Sequence, residues 1–372
     1  MKASRGCRDF PVYLASTREI GLGCPGGVWD TGPVLLVLDG NNLAWAGFHA
    51  LRRPMGADTP ERKERAALLG LAQGVFGALV RAGEPPNGRP GAQGRLLDPA
   101  RAVTGLAIAF DAGRPVRRRA VYPAYQTGRE ADPAFAENEP HILAAIGAFI
   151  ELAAMLPIEV LRGENTEADD LIAARALAED GPVRIVSTDR DFLQLVDERL
   201  SIYSPVKKVV ITAENFAEHA APRDAAGTPA AFPRERYLDY RAASGDASDD
   251  LPGIPGVGTL TAARLLAAAP LDAYFEDPGL ASGVLGRRNA KLEAALASGE
   301  AQAIAARNRA LMDLRAAAAG FPSLEGFRRV GRWDAAGFRA WLEEQRTFGV
   351  ERDATAAAFE RLAEATEAAG GR

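Results

Sequence analysis

Val34-Leu35-Leu36-Val37-Leu38 is apolar without a break and stops at Asp39-Gly40. A strand with water on one face alternates apolar and polar residues, so an unbroken run of this length points to a strand covered on both faces, as in a parallel sheet. Leu106-Ala107-Ile108-Ala109-Phe110 repeats the pattern and ends at Asp111. Val183-Arg184-Ile185-Val186 leads into Ser187-Thr188-Asp189-Arg190-Asp191, and Ile158-Glu159-Val160 is a further candidate strand. Helical stretches over 138–156 and from near Thr166 separate these runs. The pattern predicts an α/β core with a parallel, twisted, helix-flanked sheet and right-handed crossovers.

Punctuation sets the expected organisation. Residues 1–32, with Gly21, Gly23, Pro25, Gly26 and Gly27, read as an irregular N-terminal extension. The core is expected over 33–232, with Pro/Gly-rich loop insertions at Glu84 to Gly94 and Pro222 to Pro233. After about Phe232 the chain turns alanine-rich and helical, so 233–372 is expected as a helical C-terminal region without a further buried strand. No apolar run reaches the roughly 20 residues of a membrane span. Cys7 and Cys24 are the only cysteines, which supports neither a disulfide framework nor a cysteine-based zinc site and suits a reducing cytoplasm.

The acids follow the apolar runs. Asp39, Asp111, Glu167, Asp169, Asp170, Asp189, Asp191, Asp246 and Asp249 are scattered in sequence, yet ligands of open parallel sheets bind beyond the carboxyl ends of the strands. A lone aspartate after a strand is more often a turn or helix cap, and Thr166-Glu167-Ala168-Asp169-Asp170 reads equally as an acidic helix N-terminus. Repetition after several strands favours one shared site. Carboxylates brought together with few cations between them need divalent metal to offset their repulsion, which suggests a hydrolytic nuclease. The formal charge of −5 argues against a nucleic-acid partner only if those nine acids are free.

Gly245-Asp246-Ala247-Ser248-Asp249-Asp250-Leu251-Pro252-Gly253-Ile254-Pro255-Gly256-Val257-Gly258 precedes a helical stretch from Thr259 to Ala269. Gly253, Gly256 and Gly258 let backbone approach a ligand, and the helix start around Thr261 offers amides to a phosphate. A helical hairpin of this kind grips a DNA backbone without reading bases. A glycine-rich connection between packing helices is the plainer alternative.

With these segments in view, the chain resembles the 5′-nuclease family, which includes the 5′→3′ exonuclease domain of bacterial DNA polymerase I and the flap endonucleases. The resemblance rests on Leu36-Val37-Leu38-Asp39-Gly40-Asn41-Asn42, Phe110-Asp111-Ala112, Glu167-Ala168-Asp169-Asp170, Ser187-Thr188-Asp189-Arg190-Asp191 and Gly245-Asp246-Ala247-Ser248-Asp249, in order over about 33–270. It implies a PIN-like core, a helical arch near 113–135, and a helix–three-turn–helix motif near 240–270 with a bound K⁺. It further implies two Mg²⁺ or Mn²⁺ ions held by the nine acids, with Glu167 and Asp189 ligating or bridging and Asp170 and Asp246 acting through water. The implied reaction is hydrolysis of nicked or branched DNA to products with a 5′-phosphate, in repair and replication.

The arch segment carries Arg114, Arg117, Arg118, Arg119 and Arg129, with Tyr122 and Tyr125 interleaved. A solvated cationic face is the usual fate of such a run. Its match to the family's arch favours Arg117, Arg118 and Arg119 against phosphates and both tyrosines stacked on an unpaired base. One departure stands out. The family's Tyr-Lys-x-x-Arg is here Tyr125-Gln126-Thr127-Gly128-Arg129, so Arg129 is kept as a catalytic cation while the lysine position is Gln126. A neutral amide donates a hydrogen bond but supplies no charge; Arg118 or Arg119 is the candidate substitute.

His49, His141 and His219 form no metal-ligand spacing, and Trp29, Trp45, Trp333 and Trp341 read as packing residues. No polymerase domain fits in the remaining length, so a stand-alone, monomeric nuclease is expected. Two other readings stay open: a weakly or non-catalytic binder of DNA junctions, allowed by Gln126, and a PIN-like ribonuclease.

Overall fold

The computed structural model describes residues 33–82, 103–346 and 350–370; the N-terminal extension, with Cys7, Cys24 and Trp29, and the Glu84 to Gly94 loop lie outside them. β1 (Val34–Asp39) runs into α1 (Gly40–Leu51) and α2 (Pro60–Ala82). β2 (Val103–Ala109) is followed by α3 (Val116–Val121), α4 (Thr127–Ala131) and α5 (Pro133–Ala153). β3 (Glu159–Leu161) leads to α6 (Ala168–Leu177), and β4 (Val183–Val186) to β5 (Leu200–Ser204) and β6 (Val209–Ile211). Next come α7 (Phe216–Ala220), α8 (Tyr237–Ser244), the short pair β7 (Gly245–Asp246) and β8 (Leu251–Pro252), and α9 (Thr259–Ala268). The chain closes with α10 (Ala273–Glu276), α11 (Gly279–Val284), α12 (Ala290–Leu296), α13 (Gly299–Met312), α14 (Leu314–Ala319), β9 (Arg328–Val330), α15 (Ala335–Glu344) and α16 (Arg352–Gly370).

The main sheet has the order β6-β5-β4-β1-β2-β3-β9. Pairing from β5 through β3 is parallel, and the two edge strands β6 and β9 run antiparallel. The apolar run of β1 is explained by its place at the centre. Leu35 and Val37 face one buried cluster with Leu171 and Ile172 of α6, whereas Val34, Leu36 and Leu38 face the other with α1, α2 and α5. Each such side chain contributes about 1.5–3 kcal/mol by leaving water. α1 and α2 cross where Gly47 meets Gly70; a Cβ on either would lie 2.6 Å from the other's Cα, so only glycine permits the approach.

Because β2 and β3 follow β1 on one side while β4 lies on the other, the order reverses between β1 and β4. That reversal opens a crevice at the carboxyl ends of the strands. Asp39 closes β1 and Asp189 follows β4, so the crevice is flanked by two of the expected acids.

The sheet extends beyond the strands legible as apolar runs. β5 escapes notice because Ser201 and Ser204 occupy buried positions; Ser201 Oγ accepts from Arg184 Nε at 3.0 Å and donates to Val183 O at 3.3 Å, so its hydroxyl is satisfied inside the sheet. β9 is short, charged and exposed, and it brings the 233–372 region back to the sheet by pairing with β3. α15 and α16 return to the core as well: Phe338 and Phe359 meet Phe76 of α2 edge-on, with centroids 5.4 and 5.5 Å away. The helical C-terminal region is thus continuous in packing with the sheet. Among the described residues no helix is long and apolar enough to cross a membrane.

Candidate metal centre

The centre starts from strand ends held in register by side chains. Asp39, 5% exposed, caps α1: its Oδ1 accepts from Asn42 N at 2.9 Å and its Oδ2 from Ser187 Oγ at 2.7 Å. Asn42 Nδ2 donates to Thr188 Oγ1 at 2.6 Å, and Asn41 Oδ1 accepts from Asp111 N at 2.9 Å, so β1, β2 and β4 are tied together at one edge. Asp111 Oδ1 accepts from Ala168 N at 2.7 Å, which docks the start of α6 onto β2. Glu167 precedes α6 as its N-cap residue, and Asp169 and Asp170 lie in its first turn, where the helix dipole favours negative charge.

Asp189 N donates to Ser187 Oγ at 3.0 Å and Asp191 N to Asp189 Oδ1 at 2.7 Å, so the turn after β4 folds its two aspartates back toward the crevice. From the other side, β7 and the turn behind it present Asp246 and Asp249. Carboxylate oxygens of Asp191, Asp246 and Asp249 all lie within 4.8 Å of one another. Asp246 is held by Ser248 N at 2.8 Å.

Burial and mutual repulsion dominate the electrostatics. Burial pushes the Asp39 carboxyl up to about 7 against the hydrogen bonds from Asn42 and Ser187, and the charges of Asp189 and Asp111 add to the rise. Burial takes Glu167 to about 7 even though Arg118 pulls it down. Asp191 also reaches about 7, by burial first and the charge of Asp189 second. Asp169 is raised well above the usual carboxylate range by burial, then by Asp189, Asp39 and Asp111. Asp111 and Asp249 are raised as well, again by burial first. Asp246 alone goes down: burial raises it, but Arg241 and Ser248 together outweigh that. The charge of Asp189 raises Asp39 and Asp169 on one side and Asp191 and Asp249 on the other, so it couples the two groups of acids.

Three cations enter this centre. Arg118 of α3 reaches in from the expected arch to pair with Glu167 and, at 2.7 Å, with Asp170 Oδ1, while its Nε donates to Leu311 O at 2.9 Å. Arg129 Nη2 lies 3.3 Å from Asp249 Oδ1. Arg241 of α8 pairs with Asp246 and lies 2.7 Å from Asp191 Oδ1, yet that oxygen is buried without a hydrogen-bond partner. The spacing of the sequence did not single out Arg241; its position on a helix five residues before Asp246 is the only signal. Gln126 Nε2 donates to Asp249 Oδ1 at 2.8 Å.

Other expected contacts are placed differently. Tyr125 does not offer a face for a base in this conformation: it is 5% exposed, packed with Leu251, Leu311 and Met312, and its hydroxyl accepts from Gln126 Nε2 at 3.1 Å. Tyr122 is covered on one side by the Arg307 guanidinium, 4.4 Å from the ring centroid. Arg119 is engaged by Glu130 at 2.7 Å and by Tyr125 O, and Arg117 lies 6.0 Å from the Phe321 ring. The arch segment rests on α13 and the turn before β8, because Gly128 N also donates to Asp250 Oδ2 at 2.7 Å.

The hairpin joins α8 to α9. Gly245 has φ +75° and packs on Gly253, where an added Cβ would sit 2.5 Å from Ser244 O and 2.6 Å from Ala243 O. Gly256 has φ +82°, and Gly258 is the N-cap residue of α9, with Thr261 in the first turn. Ile254 N donates to Ala243 O at 2.8 Å, which fixes the turn against α8. Gly256 and Gly258 are exposed, so their backbone is open to a ligand.

Residues 34–221 match the family described as 5′-3′ exonuclease, N-terminal resolvase-like domain. The thermostable DNA polymerase I of Thermus thermophilus is 32% identical over 238 residues, 63% of this chain and 24% of that protein. DNA polymerase I of Mycobacterium bovis is 34% identical over 238 residues, 63% of this chain and 23% of its own length. The chain thus spans about a quarter of the curated relatives it matches. In fold it is similar to T5 5′-exonuclease solved with bound zinc, at a TM-score of 0.56 and 18% identity, covering 79% of this chain and 96% of that one. A T5 D15 flap endonuclease variant in complex with DNA and metal ions superimposes at a TM-score of 0.51 and 17% identity, over 84% and 99% of the two chains.

Proposed function

Because the chain belongs to the 5′-3′ exonuclease, N-terminal resolvase-like domain family, we propose that it is a metal-dependent 5′→3′ exonuclease and flap endonuclease acting on nicked or branched DNA. The observation that carries this reading is the cluster of Asp191, Asp246 and Asp249, with carboxylate oxygens within 4.8 Å of one another, beside strand-end acids whose burial and mutual repulsion push Asp39, Asp111, Glu167 and Asp169 above their usual range. The donor set suits Mg²⁺ or Mn²⁺, since carboxylate oxygens are hard ligands. Asp191 Oδ1, which Arg241 Nη2 approaches at 2.7 Å, already faces positive charge in this cluster.

Asp39, Asp111, Glu167, Asp169 and Asp170 would hold one ion, and Asp189, Asp191, Asp246 and Asp249 the other. When bound, the pair supplies a water of lowered pKa and stabilisation for the leaving 3′-oxygen. Arg129 would face the scissile phosphate, with Gln126 orienting Asp249 beside it. Arg118, already within the carboxylates, is the arch cation that would stand in for the missing lysine charge. The hairpin around Gly253, Gly256, Gly258 and Thr261 would hold duplex backbone, with K⁺ as its counter-ion. Product strands would carry a 5′-phosphate, as repair and replication require. A DNA substrate puts the work in the cytoplasm, and branched DNA needs no second subunit.

A second reading is favoured by one observation, the neutral Gln126 bonded to Asp249: a junction binder with little or no chemistry. Incubation of 5′-labelled flap, nicked and single-stranded DNA, and a matched RNA flap, with Mg²⁺ or with chelator tests both. The nuclease reading expects Mg²⁺-dependent cleavage of the DNA flap and nick. Salt-sensitive flap binding without cleavage in Mg²⁺ or Mn²⁺ would favour the binder, and preferential RNA cleavage a ribonuclease.

A further inference from the structure

A cavity of about 630 Å³ opens between the loop after β3 and the turn before β9, and it begins at Ala112 and Gly113, the residues directly after Asp111. Arg162, Arg328 and Arg329 line it, against a single lining carboxylate, Glu164. Arg328 is paired with Glu159 at 3.0 Å, but Arg162 and Arg329 have no carboxylate within ion-pair distance among the described residues. Arg162 Nε donates to Asp111 O at 3.4 Å, so this cation touches the backbone of a centre acid. Phe327 supplies an apolar wall, and its carbonyl accepts from Arg162 N at 2.8 Å, which joins the two sides of the cavity.

We propose that this cavity is a binding site for one or two nucleotides of a single-stranded segment, adjoining the carboxylate centre. The proposal rests on the nuclease reading and names where the strand goes. Unpaired guanidiniums beside an apolar wall suit a phosphodiester with its base. The volume lies in the range of small-ligand sites and is far below what a duplex needs. None of the nine acids lines the cavity, but Ala112 and Gly113, which follow Asp111, and Arg162, which reaches Asp111 O, set it beside the centre. The arginines of the cavity come from β9 and from the loop before α6, so the C-terminal segment contributes directly to the site.

Anisotropy of a labelled thymidylate hexamer, with chelator present to prevent cleavage, tests the site. Arg162→Glu/Arg329→Glu is expected to weaken hexamer binding about tenfold or more, since two cations are reversed. Arg162→Lys/Arg329→Lys is expected to retain most of it. Gly326→Trp fills the cavity by a separate route; no atom lies within 4 Å of a Cβ built there, so the change fits the backbone. It is expected to weaken hexamer binding while binding of nicked duplex through the hairpin persists. Hexamer affinity unchanged in both the reversed and the filled variants, in a protein that still cleaves flap DNA, overturns the cavity proposal and leaves the nuclease reading standing. A wild-type protein that neither binds nor cleaves DNA overturns both.

Discussion

Gln126 Nε2 and Asp249 Oδ1 are 2.8 Å apart, which joins the arch segment to the acid centre through a neutral amide. The backbone supports the link, since Gln126 N also donates to Asp249 O at 3.2 Å. Gln126→Lys places a charge at this point, next to a carboxylate that burial pushes up. Single-turnover cleavage of flap DNA is expected to rise by about tenfold or more, the scale on which one added electrostatic donor acts. An unchanged rate would mean that the charge is supplied elsewhere, with Arg118 or Arg119 as the candidate.

Arg118 serves as an internal counter-cation to Glu167 and Asp170. Removing one partner of a buried pair costs about 3–5 kcal/mol because it leaves a charge uncompensated. Arg118→Gln is therefore expected to lower the melting temperature of the metal-free protein and to enlarge the rise on adding Mn²⁺. Differential scanning fluorimetry with chelator and with Mn²⁺ reads both; an equal rise in wild type and variant would contradict the role.

Asp39, Glu167 and Asp191 are raised to about 7, so in the metal-free fold they hold protons that the unfolded chain has lost. Their contribution to stability is fully present below the unfolded pKa near 4 and is lost as pH rises through about 7. Among the centre acids Asp246 runs the other way, one group against six raised; Asp58, Glu61, Glu130, Glu137 and Glu198 are lowered too, but solvent screens these surface groups. Melting temperature in chelator is expected to fall between about pH 4 and 7, and a divalent cation is expected to remove that fall by taking the protons' place. A flat profile in chelator would count against buried, repelling acids.

Asp39, Asp111, Asp189 and Asp191 were legible because they follow runs whose burial left an apolar signature, as β1 shows; Glu167, Asp169 and Asp170 were marked by a helix start, and Asp246 and Asp249 by the glycine-rich hairpin. The sheet order then decides that they meet, and order is set by packing that a strand's own residues do not spell out. β5 stayed hidden behind buried serines, and β9 behind two arginines on an exposed edge. Arg241 was invisible for a different reason: its partners Asp191 and Asp246 are brought to it by the turn after β4 and by the hairpin. Tyr125 reads as a stacking residue from its neighbours, yet α13 covers it with Leu311 and Met312.

Gly253→Ala tests the hairpin. The added methyl meets Ser244 O and Ala243 O, backbone atoms that cannot swing aside, so a loss of about 1–3 kcal/mol in urea unfolding is expected. Affinity for nicked duplex should fall with it, while hexamer binding in the cavity changes less. Equal loss of both would mean that the hairpin and the cavity are not separate sites.

Asp189 is felt by both groups of acids, so its removal tests the central claim most directly. The measurement is single-turnover cleavage of 5′-labelled flap DNA in Mg²⁺ by wild type and Asp189→Ala, with flap binding followed in parallel. The account predicts cleavage by the wild type and a loss of at least about 10²-fold in the variant with flap binding retained. Cleavage that survives the substitution at the wild-type rate would contradict a metal centre built from these carboxylates.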